Sequence, residues 1–93
     1  EPNPFEHSAH ISYSLPFPLA RVRLLVYDRR GRLAKTIRNV GESGSVWSGM
    51  WDGCDDDGSR LGAGPYILFF EAFDKRSGTM HCEKIPIVVA RRL

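Results

Sequence analysis

Ninety-three residues, 42% hydrophobic and 26% charged, suffice for one domain with a single two-layer core and are too few for a deep enclosed pocket. Thirteen basic and eleven acidic residues leave a formal charge of +2, too weak a field to hold a nucleic-acid backbone. The longest apolar runs are about five residues where a membrane-spanning helix needs roughly 20, so neither nucleic acid nor membrane insertion is expected. The chain opens on Glu1-Pro-Asn-Pro without an initiator methionine or a secretory signal, and reads as a piece of a longer polypeptide.

Period-2 alternation bounded by turn residues recurs about every ten residues, and no stretch carries a helical period. His10 to Leu15 is the first strand, with Ile11, Tyr13 and Leu15 on one side; Pro16 and Pro18 stop it, having no amide hydrogen for a ladder. Arg21 to Tyr27 is the second, with Val22, Leu24 and Val26 facing inward. Asp28-Arg-Arg-Gly31 turns the chain, and Arg32 to Arg38 returns as a strand whose Lys35 and Arg38 suit an edge. Asn39 to Ser45, with two glycines, is expected as a loop. Val46 to Trp51 follows, its parity placing Trp47 and Trp51 on one face with Gly49 between them.

Tyr66 to Phe73 is the most strongly apolar strand. With Tyr66, Leu68, Phe70 and Ala72 facing the core, Ile67, Phe69 and Phe73 face out. A contiguous patch of that kind marks a docking surface unless long neighbours such as Arg23 or Lys84 lie over it. Asp74 to Gly78 forms a hairpin, and Thr79 to Ala90 returns. Pro86 interrupts that strand, so a bulge or an edge position is expected there. Six or seven antiparallel strands in so short a chain predict a two-sheet sandwich with one core. Trp51, Tyr66, Val22, Leu24 and Val26 are its expected core residues, Trp51 the most buried.

Between Trp51 and Tyr66 lies Asp-Gly-Cys-Asp-Asp-Asp-Gly-Ser-Arg-Leu-Gly-Ala-Gly-Pro. A calcium site would draw on Asp52, Asp55 and Asp57, hard oxygen ligands spaced like the middle of a calcium loop. The rest of such a loop is missing: Gly53 stands where a ligand is needed, and no glutamate follows at the bidentate position. The turn reading accounts for more residues. Aspartates accept bonds from nearby amides, Gly58 supplies the left-handed residue, and Leu61 folds back onto the end of the core. His7, His10 and His81 are too dispersed for a zinc motif, and the cysteines form no Cys-x-x-Cys pair. No serine stands in a nucleophile-elbow context. The residues point to no enzyme, no metal and no cofactor. In a hairpin about residues 74–79, Cys82 falls opposite about Ala72. Cys54 then lies beyond the other end, roughly 20 Å or more away at 3.4 Å per residue, out of disulfide reach.

The segments PNPF, ISYSLP, VRLLVYDRRGRLAKTI, WDGCDDDGSRLGAGPY and KIPIVVARR, in that order, resemble a family of bacterial Ig-like modules across nearly the whole chain. One branch is the Ig-like domain of flagellar hook-capping proteins. The other is the C-terminal module of many secreted bacterial proteins, including the sorting domains of type IX secretion. The most specific matches are Tyr27-Asp28-x-x-Gly31 and Trp51-Asp52-Gly53, then Asp57-Gly58, then Gly64-x-Tyr66. Lys84 followed by Ile85, Ile87, Val88 and Val89, with Arg91 and Arg92 trailing, fits the secreted branch better; Pro86 departs from it. The resemblance implies an all-β, Ig-like or fibronectin-III-like antiparallel sandwich of six to seven strands. It implies a single non-catalytic module over 1–93, at the C-terminal end of a secreted or cell-surface bacterial protein that crosses the periplasm in transit. Sorting, anchoring or docking through protein contacts is the expected function. The partners would be the parent's preceding domain or the secretion machinery, met through Ile67, Phe69 and Phe73. Two alternatives stand beside it: a hook-assembly scaffold, and a carbohydrate-binding accessory module stacking sugars on Phe69, Phe73 or Trp47.

Overall fold

Seven strands and no helix occupy the described residues of the computed structural model, which are 4–5 for backbone alone and 8–90 in full. They are β1 (Pro4–Phe5), β2 (Ala9–Ser14), β3 (Ala20–Asp28), β4 (Leu33–Ser43), β5 (Val46–Trp51), β6 (Gly64–Asp74) and β7 (Thr79–Val89). One sheet runs β1-β7-β6-β3-β4 and the other is the pair β2-β5. Every pairing is antiparallel except β1 on β7. The result is a β-sandwich. Its larger sheet has the strand order G-F-C-C′ of an immunoglobulin-type domain in β7-β6-β3-β4, and its smaller sheet the B-E pair in β2-β5.

Alternation builds the core as expected. Leu24 and Val26 of β3 are buried beside Leu68 and Tyr66 of β6, with Trp51 and Ile11 closing over them from the small sheet, while Val22 is buried in a second cluster with Ala20 and Ala72. Trp51 is 2% exposed, and its indole N–H donates to the Cys54 carbonyl at 2.9 Å, which satisfies the one polar atom so large a buried ring carries. Trp47 lies along its own strand over Gly49, where an added Cβ would meet the ring at 2.6 Å. Tyr13 stacks on Trp47 with centroids 5.7 Å apart. The Tyr13 hydroxyl bonds the Ser43 hydroxyl at 2.6 Å and accepts from Arg38 Nε at 3.0 Å, so the open side of this aromatic group ends in satisfied polar atoms. Leu61 packs against the main core cluster.

Several expectations need correction. Residues 39–43 are strand, not loop. β4 continues to Ser43, which pairs with Ala20, and takes up the mismatch in three register shifts against β3, because an available partner strand outweighs the turn preference of Gly41. β7 carries no bulge: its pairing with β6 is regular from Asp74–Thr79 to Gly64–Val89. Pro86 instead sits on an edge, since β1 covers β7 only at Val88 and Val89. The apolar residues of β7 change face along the strand without a bulge. Met80 and Cys82 share the outer face with Phe73 and Glu71, whereas Ile85, Ile87 and Val89 share the inner face with Leu68 and Tyr66. Cys82 opposes Glu71 rather than Ala72, and the two cysteines are not bridged to each other. The parallel strand β1 was not anticipated. His7, Arg91 and Arg92 lie outside the described residues.

Five strands against two leave part of the large sheet uncovered. Residues 79–86 of β7 are exposed on both faces, and burial begins only at Ile87.

Candidate interaction surfaces

The acidic loop is built from local backbone bonds. Asp55 Oδ1 accepts the amides of Asp57 at 3.0 Å and Ser59 at 2.9 Å. The amide of Asp55 donates to the Ser59 carbonyl at 2.8 Å, and Gly58 takes the left-handed conformation at φ +87°. Asp52 Oδ1 accepts the Cys54 amide at 3.0 Å. Asp56 turns outward to the edge of β4, accepting the Thr36 amide at 3.1 Å with Lys35 Nζ 3.7 Å away. The carboxylates of Asp52, Asp55 and Asp56 thus serve different parts of the backbone, and Asp57 is exposed. Among the described residues no three potential ligand side chains gather where they could share an ion.

The same device recurs in two other turns. Asp28 Oδ1 accepts the amides of Arg30 and Arg32 at 2.9 and 3.0 Å, and Asp74 Oδ1 accepts that of Arg76 at 3.0 Å. These bonds hold three carboxyls below the ordinary range. The amide of Arg32 dominates at Asp28, that of Cys54 at Asp52 and that of Arg76 at Asp74. A general acid or base working near neutral pH needs the opposite displacement.

The expected docking residues all project from the outer face of β6, but the structure divides them. Phe73 lies beneath the Arg21 guanidinium, 5.0 Å from its ring centroid. Glu71 separates it from Phe69 and pairs with Arg23 at 3.2 Å. Ile67 and Phe69 stay together. Tyr27 meets Phe69 edge-on at 6.3 Å, and these three with Lys84 and Arg29 line a shallow depression of about 440 Å³. Ile67 is 37% exposed. Beside Phe69, its cross-strand partner Leu25 is only 4% exposed although it points away from the main core. Neither Tyr27 nor Leu25 was assigned to this face from the sequence. The signal was Leu24-Leu25, two adjacent aliphatics in a strand, which requires apolar cover on both sides. Trp47, the other ring considered for sugar stacking, carries Tyr13 on its ring and the Arg38 guanidinium 5.0 Å from its centroid. His81 stacks on Phe17 at 5.1 Å.

Fold and surfaces together define an immunoglobulin-type β-sandwich whose aspartates shape turns and whose large sheet carries an apolar depression on its outer face. No family model matches the sequence, and no curated protein matches it. Among solved structures, the chain is similar to part of PorZ, an essential bacterial surface component of the type-IX secretion system of the human oral-microbiomic Porphyromonas gingivalis. The TM-score is 0.50 at 19% identity, over 90% of this chain and 11% of that one. The likeness is one of fold, and it corresponds to a small part of PorZ.

Proposed function

We propose that this chain is a non-catalytic module of a secreted or cell-surface bacterial protein associated with type IX secretion, working by protein contact in sorting, anchoring or docking. The observation that carries this reading is the sandwich shared with a segment of a type-IX surface component. Of the two branches the sequence resembles, that neighbour stands with secretion rather than with the flagellar hook. The outer face of β6 supports a contact role. Ile67 and Phe69 form an apolar depression with Lys84, Arg29 and Asp28 at its rim, and Phe73 lies apart from it, under Arg21 and beyond Glu71. The partner is the preceding domain of the parent protein or a component of the export machinery.

Fusion of the module to the C-terminus of a periplasmic reporter, in a bacterium with a working type IX system, tests the sorting form. Reporter recovered at the cell surface or in the medium supports it. A folded fusion that stays in the periplasm counts against it. Phe69→Ala should reduce contact with the partner without unfolding the module, read by pull-down of the parent's preceding domain.

A further inference from the structure

We propose that the unpaired edge of β2, with the uncovered inner face of β7 beside it, accepts an extended strand from a separate protein, which joins the small sheet antiparallel to β2. This surface is opposite the Ile67–Phe69 depression, and the proposal does not rest on the reading above.

The ladder fixes which backbone groups are available. The Leu15 amide donates to the Ser45 carbonyl at 2.7 Å, and β2 pairs with β5 without a shift. Antiparallel ladders alternate bonded and non-bonded pairs. Tyr13, Ile11 and Ala9 therefore bond to β5, while His10, Ser12 and Ser14 turn their N–H and C=O groups the other way. No other strand among the described residues pairs with that edge. It borders a groove of about 610 Å³. In an immunoglobulin-type sandwich a further strand occupies this place beside B; here β1 lies on β7, in the other sheet.

The floor of the groove specifies the chemistry of the occupant. Leu68 and Phe70 of β6 and Ile85 and Glu83 of β7 line it. Ile85 is 41% exposed although its parity is that of the core. Glu83 has no ion-pair partner among the described residues. A strand laid along β2 would send every second side chain downward. An aliphatic residue fits over Ile85 and Leu68, and a lysine or arginine fits toward Glu83. Main-chain bonds to the edge with alternate side chains in pockets are the mode by which peptides add to sheets.

A second copy does not fit. Its β2 is backed by its own large sheet, one layer, roughly 10 Å, below. Under the groove that level is already filled by β7. The described residues ahead of β2 do not fill it, since Pro4 and Phe5 pair with β7.

The test is a titration followed by backbone amide NMR. The probe is an eight-residue capped peptide alternating isoleucine and threonine, with one lysine among the inward positions. Saturable shifts and slowed hydrogen exchange at His10, Ser12 and Ser14 are expected. Ser12→Pro removes the central edge donor without removing a bond to β5, and Ile85→Glu adds a charge to the floor. Each should weaken binding at least about tenfold, as should a peptide with glutamate in place of its lysine. Phe69→Ala, on the other face, should bind as the parent does. If Ser12→Pro does not fold, Ile85→Glu decides. Unprotected edge amides at millimolar peptide, binding indifferent to Ile85→Glu, or a dimer that Ser12→Pro dissociates would each overturn the proposal.

Discussion

A methyl group added at Gly49 would land 2.6 Å from two carbons of the Trp47 ring. The indole would have to leave its place along β5 and with it the stack on Tyr13. Gly49→Ala should therefore cost about 1–3 kcal/mol and change the near-ultraviolet circular dichroism of the aromatic group, with the strand content intact. Asp55 offers a contrast, since its importance lies in backbone bonds rather than packing. Asp55→Ala leaves two amides without their acceptor and should lower stability in urea by about 1–2 kcal/mol. The paired positions of Trp47, Gly49 and Trp51 were legible from parity. That the ring lies down on the glycine was not, because the rotamer depends on Tyr13 and Arg38, which the fold brings from other strands.

The three aspartate-led segments at Asp28, Asp52 and Asp74 couple folding to pH. Each carboxyl is held below its ordinary value by amides that face it in the folded chain. The unfolded chain binds protons more readily in that range, so these bonds stabilise the fold above about pH 4. The contribution is lost as pH falls through the lowered folded values. Urea midpoints should be flat toward neutrality and drop in acid. Asp74→Asn should reduce the acid drop, and a midpoint that rises on acidification would contradict the assignment. The Asp28 and Asp74 turns were readable from sequence because aspartate and glycine act within a few residues. β4 was not readable to its end: Gly41 signalled a loop, but pairing with β3 extended the strand to Ser43. At Pro86 a bulge or an edge was expected, and the structure has the edge: pairing with β6 is regular and β1 reaches only Val88 and Val89.

At the scale of the molecule, the imbalance of five strands against two organises both surfaces. The large sheet carries a second apolar spot on its outer face, where Leu25 is buried beside Phe69. Leu25→Ala should cost about 2–4 kcal/mol in spite of lying outside the main core, measurable as an earlier thermal transition. A loss below about 0.5 kcal/mol would show that the outer face is not packed as described. The loop between β5 and β6 also guards the molecule's other flank. Asp56 caps the Thr36 amide on edge strand β4, which leaves one fewer donor for unwanted pairing, whereas β2 has no comparable cover.

The sequence by itself determined the all-β class, the faces of β2, β3, β5 and β6, the core around Trp51 and Tyr66, and the local chemistry of the Asp28 and Asp74 turns. These follow from alternation and short-range hydrogen bonding, which act over a few residues. Only the tertiary structure decided how much of each sheet the other covers, which of Ile67, Phe69 and Phe73 share a depression, and which strand edge is left unpaired. Those properties come from contacts between residues distant along the chain, and no local pattern encodes them.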